Sequence, residues 1–374
     1  MKTILVINTG STSTKVAIFK DSTRVIQDNL FMSEEELKRS LTAVDQLPFR
    51  IKVVAEWLSD NGYSMGDLDI IAARGGPLPP IEGGAYRVNQ LMVDVLTYAP
   101  ASRHESALAC MIGMNLAGNS GVPVIIYDGV SVDEIREVAR YTGFPGIQNT
   151  GRGHILNSRR VSRMTAAKLG KAYEESTFIV AHLGGSISVS AHDQGRIVDI
   201  VNAFGGPMST QRAGRLPMDQ LIALCYSGKY GQQELLKLLN GGSGYKAYFG
   251  TQDARKVSEL MDAGDPLACA VTEALAYQTA KAIGEMRVAV EHPVDRVILT
   301  GGMANFRFVT DYISNRVSFI APAELLPGEF EMEALAEGAL GVLTGKEPAR
   351  EFDRLPAGYA TREEFYGYVR SCQA

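Results

Sequence analysis

The 374-residue sequence lacks any apolar run approaching the roughly 20 residues that a membrane-spanning helix needs. It contains only four cysteines and no Cys-x-x-Cys pair, which argues against both a disulfide framework and a zinc site. We therefore expect reduced, buried thiols in a cytoplasmic protein. The chain also lacks a GxxxxGK[ST] segment, which excludes a Walker-type phosphate loop.

The net charge of the chain is small. The formal net charge is −5, which argues against nucleic acid as a main partner. Hydrophobic residues make up 45% of the chain and charged residues 21%, proportions typical of a globular protein. The length suffices for two domains with well-buried cores. We expect neither a nucleic-acid nor a membrane partner.

The most informative stretch lies near the N-terminus. The pattern predicts a buried strand over Thr3–Ile7, a turn of small hydroxyl-bearing residues over Asn8–Ser13, and a second strand over Thr14–Phe19. Such a turn offers backbone N–H groups, hydroxyls and a nearby ammonium group to an anion. An ordinary β-hairpin is an equally good interpretation of this stretch alone. The candidate anion ligands are Ser11, Ser13 and Lys15.

A second stretch, Phe178–His192, repeats this plan of strand, polar residue, glycine turn and strand. Aligning Asn8 with His182 also aligns Gly10 with Gly184. Two such hairpins half a chain apart indicate a duplicated domain with a nucleotide held between the halves. The candidate phosphate ligands of the second copy are His182, Gly184, Gly185 and Ser186.

Further elements follow from the hydrophobic pattern. Strands predicted at 68–73 and 122–127 end at Arg74 and Asp128, and open α/β sheets bind ligands at such carboxyl ends. An amphipathic helix is predicted over Val132–Tyr141. Glycine and proline then accumulate over Phe144–Gly153, which suggests a boundary there. The predicted domains are 1–148, completed by 345–374, and 149–344.

Several motifs together resemble those of the butyrate kinase branch of the acetate kinase family. They are collinear with that family from Ile4 to about Gly345. The most distinctive are NTGSTSTK at 8–15, RGG at 74–76, HESALA at 104–109, HILN at 154–157, AHLGG at 181–185, RAGRLP at 212–217, GTQDAR at 250–255, LTGG at 299–302 and GEFEMEALAEGAL at 328–340.

The resemblance implies a fold and an activity. The fold would be α/β, with duplicated ribonuclease-H-like (actin-like ATPase) domains and an interdomain nucleotide cleft. The activity would be reversible, in-line phosphoryl transfer from ATP to butyrate or a similar short acid, yielding butyryl phosphate and ADP. ATP/ADP and Mg²⁺ would be the cofactors. A homodimer in the cytoplasm is implied by the resemblance alone.

The family's roles can be carried over to matching positions. Phosphoryl transfer needs a metal, positive charge on the moving group and alignment of donor with acceptor. By resemblance, Mg²⁺ would be held by Asn8 and Glu331 from the two halves. The acid would be bound by Arg74 and His104, and Asp128 would orient the acceptor or relay a proton. Arg212 and His154 would stabilise the moving phosphoryl group. The ribose and adenine would be contacted by Asp253, Arg255, Gly301 and Gly302.

Plainer interpretations remain open for these residues. Glu331 fits a carboxylate at a helix N-terminus, loop arginines are usually surface residues, and histidines on helices are often structural. The sequence departs from the family pattern at Thr9, where the family usually has proline, and at Ser186, where it has a third glycine. It also departs in the 204–211 loop, which is shorter here, and at Phe330, where the family has asparagine. One alternative is therefore a related kinase that prefers acetate, propionate or isobutyrate. Another is a nucleotide-binding paralogue with impaired catalysis that acts through a partner.

Overall fold

The computed structural model describes residues 1–40, 42–99, 104–202 and 204–373, without the side chains of residues 38 and 39. These residues form two compact units. The first comprises 1–133 and 330–374, and the second comprises 134–329. Within the described ranges no helix is both long and apolar enough to cross a membrane.

Twelve strands build the two sheets. They are β1 (Thr3–Thr9), β2 (Ser13–Lys20), β3 (Thr23–Phe31), β4 (Ile70–Ala73), β5 (Ala85–Arg87), β6 (Val124–Tyr127), β7 (Thr177–Leu183), β8 (Ile187–Asp193), β9 (Arg196–Val201), β10 (Arg296–Gly301), β11 (Ala323–Pro327) and β12 (Ala349–Glu351).

Fourteen α-helices are found in the described part of the chain. They are α1 (Glu34–Arg39), α2 (Leu47–Asp60), α3 (Gln90–Tyr98), α4 (Leu108–Ala117), α5 (Glu137–Arg140), α6 (Ile155–Lys168), α7 (Met218–Cys225), α8 (Gln232–Gly241), α9 (Tyr245–Phe249), α10 (Ala254–Asp262), α11 (Pro266–Ala289), α12 (Arg307–Val317), α13 (Glu331–Leu343) and α14 (Arg362–Gln373).

The two sheets share an arrangement of five strands, which β5 and β12 extend in the first. The first has the order β12-β5-β6-β4-β1-β2-β3 and the second β11-β10-β7-β8-β9. In the first unit β1, β2 and β3 pair antiparallel, and β4 and then β6 extend the sheet in parallel from β1. In the second unit β7, β8 and β9 pair antiparallel, and β10 and β11 extend it in parallel from β7. The predicted duplication is therefore present in the order and direction of the strands.

The two hairpins match in detail but not in length. Thr9 pairs with Thr14 in the first, so residues 10–13 form its turn. Leu183 pairs with Ile187 in the second, so its turn is the shorter segment 184–186. The second strand of each hairpin has a register shift opposite the third strand, at Ile18/Phe19 and at Ala191/His192. Such irregularities increase the local twist of a sheet.

Buried apolar strands explain why the hairpins have fixed positions. The four residues of β4 and nearly all of β1 are buried, and every residue of β7 and β8 is buried. Strands buried on both faces are near-continuous in apolar residues because helices cover both sides of the sheet. In the second unit the 24-residue α11 packs against β7, β8 and β9.

The compact units differ from the predicted domains at both boundaries. Residues 134–148 belong to the second unit, where Arg136 donates its backbone N–H to Val198 and its guanidinium to Asp193. The helix α13 belongs to the first unit, where it packs against β1, β4 and β6. The prediction that Asn8 and Glu331 come from different halves is therefore wrong. An apolar helix belongs to the unit whose sheet buries it, however far apart the helix and the sheet lie in the sequence.

Two smaller predictions also fail. The expected helix over Val132–Tyr141 is reduced to α5, because Val132 forms a parallel bridge with Ile81 and the segment enters α5 in an extended conformation. Of the four cysteines only Cys110 is fully buried, and burial raises the pKa of its thiol to about 12. Cys225 and Cys372 are exposed, contrary to the expectation of buried thiols.

Gly338 provides a test of how closely α13 packs against Tyr127 at the end of β6. A Cβ atom at this position would lie 2.3 Å from Cγ of Tyr127, whereas at Gly341 the nearest atom would be 3.4 Å away. We expect Gly338→Ala to lower the free energy of unfolding of the first unit by about 1–3 kcal/mol through overpacking. Gly341→Ala should be neutral or stabilising, since alanine is the better helix former. Denaturant midpoints that fall equally in both variants would contradict this packing.

Candidate active site

Three side chains of the first unit form one hydrogen-bonded cluster. Asn8 Nδ2 donates to Glu331 Oε2 at 2.8 Å, and Arg74 Nη1 donates to Asn8 Oδ1 at 3.2 Å. Arg74 also forms a salt bridge to Glu331 Oε2. The sequence analysis assigned all three residues to the active site, but it did not predict that they form hydrogen bonds with one another.

The fold brings the three together in a simple way. Asn8 lies near the end of β1, and Arg74 directly follows the neighbouring β4, with its backbone N–H donating to Ile7. Glu331 is the first residue of α13, where the helix dipole favours a carboxylate. Its side chain is 13% exposed and that of Arg74 is 30% exposed. The cluster is therefore largely shielded from water but still accessible.

This donor set suits a hard divalent cation. The Asn8 amide oxygen and the Glu331 carboxylate are oxygen donors, the kind that Mg²⁺ binds, and Mg²⁺ usually keeps several waters besides one or two protein ligands. The described residues contain no group of three or more His, Cys, Asp or Glu that could hold a metal alone. A two-ligand site with waters is therefore the arrangement that these residues fit.

Asp128 lies at the end of β6 in a strained conformation. Its φ of 40° is in the left-handed region, which is uncommon for a residue other than glycine. Its Oδ1 accepts a hydrogen bond from Gly84 N at 2.9 Å, and its own N–H donates to the Gly84 carbonyl at 3.2 Å. The residue is 1% exposed. Strain of this kind collects at functional sites, where the surroundings hold it in place.

The remaining candidates of the first unit lie around the hairpin. The Ser11 and Ser13 hydroxyls and the Lys15 ammonium group form no hydrogen bond or ion pair with the described residues. His104 has a 61% exposed side chain, and its Nδ1 accepts a hydrogen bond from Ser106 N, so it caps a 3₁₀ turn. Thr9, which replaces the family's proline, is buried and donates to the Glu105 carbonyl at 2.7 Å.

A residue that the sequence analysis missed fixes the first turn. Arg50 of α2 is 1% exposed and donates to the carbonyls of Gly10, Ser11 and Ser13 at 2.8–3.1 Å. Burial lowers the pKa of its guanidinium, and the nearby Glu105 carboxylate partly offsets this effect. A guanidinium with five donors can bind several carbonyls at once. Nothing in the sequence distinguishes this arginine from one on the surface of the protein.

In the second unit the predicted hairpin residues occupy one turn. His182 is 4% exposed at the end of β7, and Gly184, Gly185 and Ser186 form the turn. Ser186 is not among the residues with positive φ, so serine causes no backbone strain where the family has a third glycine. A Cβ atom at Gly185 would lie 2.6 Å from Gln211 Nε2, so a larger residue there would require the Gln211 side chain to move.

The loop that carries Arg212 is tied to this hairpin. Ser209 Oγ donates to the Gly185 carbonyl at 2.6 Å and accepts from Arg212 N at 3.1 Å. The Arg212 guanidinium has no hydrogen-bond or ion-pair partner among the described residues, although its Nε is buried. Burial lowers the pKa of this group. An arginine that is partly removed from water without an anion is ready to bind one.

The other predicted residues of the second unit are found in two places. Gly301 has a φ of 87°, and a Cβ atom there would lie 2.4 Å from the Leu183 carbonyl, while Gly302 faces open space. Asp253 caps α10 and binds the exposed Arg255 through two hydrogen bonds, which lower the pKa of the carboxylate to about 2. His154 lies against His182, with ring centroids 3.8 Å apart.

Known proteins resemble this chain over most of its length. The sequence pattern of the Acetokinase family matches residues 145–321. A protein named probable butyrate kinase 2, from Caldanaerobacter subterraneus subsp. tengcongensis, is 42% identical over 345 residues, which are 92% of this chain and 98% of that protein.

Solved structures agree on the fold. The acetate kinase of Porphyromonas gingivalis has a TM-score of 0.75 at 16% identity, covering 92% of this chain and 100% of that one. A propionate kinase of Francisella tularensis subsp. tularensis has a TM-score of 0.70 at 18% identity, covering 90% and 99%. These similarities confirm the predicted duplicated actin-like fold.

The chain belongs to the acetokinase family. The enzyme class expected from the sequence, an ATP-dependent kinase acting on a carboxylate, is confirmed at the level of that family.

The role of Arg50 can be tested by stability. We expect Arg50→Met to lower the free energy of unfolding of the first unit by several kcal/mol, because buried carbonyls left without a donor cost about 1–3 kcal/mol each. Arg24→Met is the matched control, since Arg24 pairs with Glu333 at 48% exposure and surface pairs contribute at most about 1 kcal/mol. Hydrogen exchange should accelerate across residues 10–13 only in the Arg50 variant. Equal effects of the two substitutions would contradict this role.

Proposed function

We propose that the chain is a butyrate kinase, which transfers the γ-phosphoryl group of ATP to butyrate and yields butyryl phosphate and ADP. The relative that is 42% identical is named a probable butyrate kinase, which supports this choice of acid. The reaction needs little covalent chemistry from the protein, because positioning and charge stabilisation provide most of the catalysis.

The observation that carries the proposal is the guanidinium of Arg212, which has no partner in the described part of the chain. A phosphoryl group in transfer spreads negative charge over its oxygens, and arginine meets such charge with planar, paired N–H donors. Arg212 is held by the loop that Ser209 ties to the glycine hairpin. We assign it to stabilise the moving phosphoryl group, with His154 as a second donor to that group.

Nucleotide binding is assigned to the glycine turn and its neighbours. The backbone of Gly184, Gly185 and Ser186 would contact phosphate, together with His182, and Ser11, Ser13 and Lys15 would contribute from the first hairpin. The open space at Gly302, beside the conformationally restricted Gly301, suits a flat base lying against the backbone. Asp253 and Arg255 would contact the ribose and adenine.

Binding of the substrate acid is assigned to residues of the first unit. Arg74 offers a guanidinium to the substrate carboxylate, which is already ionised near pH 7, so no general base is required. Asp128 is assigned to orientation, because its strained backbone fixes its carboxylate beside Gly84. His104 caps a turn next to this region and is assigned to the acyl side of the substrate.

Mg²⁺ is assigned to Asn8 and Glu331, whose oxygen atoms fit it. When bound, it would neutralise the charge of the nucleotide phosphates. Arg74 donates a hydrogen bond to Asn8 and forms a salt bridge with Glu331, so the proposed metal ligands contact the side chain assigned to bind the acid. A homodimeric state and a cytoplasmic location are further proposals that the family resemblance supports.

The competing interpretation of a paralogue with impaired catalysis is not favoured. Two of the departures that motivated it are accommodated, since Thr9 is hydrogen-bonded and Ser186 is unstrained. A preference for acetate, propionate or isobutyrate is the nearer alternative, because one methylene changes specificity by only about 1–3 kcal/mol.

A hydroxamate assay for acyl phosphate tests the function directly. With ATP and Mg²⁺, we expect product from butyrate at a higher kcat/KM than from acetate, propionate or isobutyrate, and no product when EDTA removes the metal. Faster turnover of another acid would change the assigned substrate. Absence of product from every acid would overturn the kinase proposal.

The role of Arg212 predicts a separation of binding from turnover. We expect Arg212→Ala to lower kcat by about 10³-fold or more, as for arginines that stabilise phosphoryl transfer elsewhere. The affinity for Mg²⁺-ADP, measured by calorimetry, should change little. Arg307→Ala removes an exposed arginine of the same unit and serves as the control. A kcat within a few fold of the wild type in the Arg212 variant would exclude this role.

A further inference from the structure

Two histidines of the second unit form an unusual stack. The imidazole rings of His154 and His182 are 3.8 Å apart and inclined by only 11°. Each ring has a buried polar partner at Nδ1. Asn157 Nδ2 lies 3.0 Å from Nδ1 of His182, and Ser188 Oγ lies 2.7 Å from Nδ1 of His154.

The partner of His182 fixes the position of its proton. An amide nitrogen can only donate, so Nδ1 of His182 accepts from Asn157, and the neutral ring carries its proton on Nε2. Asn157 is fully buried in the first turn of α6, and the same amide nitrogen also donates to Thr300 Oγ1 at 3.1 Å. The Thr300 hydroxyl in turn donates to the Gly328 carbonyl at 3.3 Å. This chain orients the amide of Asn157.

The same logic applies to His154. Ser188 Oγ accepts from the His154 backbone N–H at 3.5 Å and is 3% exposed. Within the described part of the chain, the only acceptor for its own proton is Nδ1 of His154. A neutral His154 ring with its proton on Nε2 satisfies this hydroxyl.

The Nε2 atom of His182 faces the glycine turn. A Cβ atom built on Gly184 would lie 3.3 Å from it, so this N–H is adjacent to the backbone that would contact phosphate. In this tautomer the ring offers a donor to a phosphate oxygen. In the other tautomer it would offer a lone pair, which repels an anionic oxygen.

We infer that Asn157 is a positioning residue that holds His182 in the Nε2–H tautomer and so makes it a phosphate donor. This inference rests on the proposed function for the role of His182 and on the hydrogen bonds alone for its tautomer. In metal sites, the partner that orients a ligating histidine is typically worth about 10–100-fold in metal affinity or activity, and we expect an effect of the same order here.

Asn157→Asp is the decisive variant, because it replaces the amide donor by a carboxylate acceptor of the same shape. The tautomer is read from ¹⁵N NMR of the imidazoles without nucleotide, with His182→Gln identifying the signal. The comparison is made at a pH where the ¹⁵N shifts show neutral rings, because a carboxylate also favours the imidazolium, which keeps its Nε2–H. There we expect Nε2–H in the wild type and Nδ1–H in Asn157→Asp. The affinity for Mg²⁺-ADP and kcat should fall by about 10–100-fold. Thr310→Val is the matched control, since it removes a buried hydroxyl of the same unit that donates to the Arg307 carbonyl within its own helix, and it should leave the tautomer of His182 unchanged.

The outcomes separate the two claims. An Nδ1–H ring in the wild type overturns the inference, and this readout stands even if Asn157→Asp does not fold. A tautomer that is unchanged in a folded Asn157→Asp variant also overturns it, as does a changed tautomer with unchanged ADP affinity and kcat. An Nε2–H ring in a wild-type protein that binds no ADP would instead refute the proposed function and leave the tautomer assignment intact.

Discussion

The structure of the first unit depends on one buried cation. Its guanidinium, that of Arg50, donates hydrogen bonds to the carbonyls of Gly10, Ser11 and Ser13, and these bonds determine the path of the turn. A charge removed from water is costly unless hydrogen bonds compensate it, so Arg50 is stable only when the turn is formed around it. The turn and α2 therefore order each other. Asn8 and Lys15 pair across the hairpin on either side of this turn.

The second unit stabilises its hairpin differently. Its turn is one residue shorter, and the hydroxyl of Ser209 donates to the Gly185 carbonyl within it. The two units thus share the arrangement of five strands but not the contacts that hold their turns. The first unit contains the cluster of Asn8, Arg74 and Glu331, and the second contains the stacked histidines.

The sequence predicted those features that have a local cause. The apolar runs of β1 and β7 and the glycine turns after them are visible as periodicity and composition, and so the duplication could be recognised. The ends of β4 and β6 placed Arg74 and Asp128 correctly for the same reason. The predictions failed where contacts distant along the chain decide. Glu331 lies 323 residues from Asn8 and binds it, because α13 is buried against the first sheet. The partners of Arg50 and Asn157 are likewise set by tertiary contacts, which no spacing of residues reveals.

The left-handed backbone of Asp128 sets two contributions to stability against each other. In this conformation a residue with a Cβ atom is less stable than glycine by about 1–2 kcal/mol. The carboxylate offsets this cost, because it accepts a hydrogen bond from Gly84 N, and a buried donor left without its acceptor costs about 1–3 kcal/mol. A glycine at this position would relieve the backbone and lose that hydrogen bond, so the two changes would oppose each other in the free energy of unfolding.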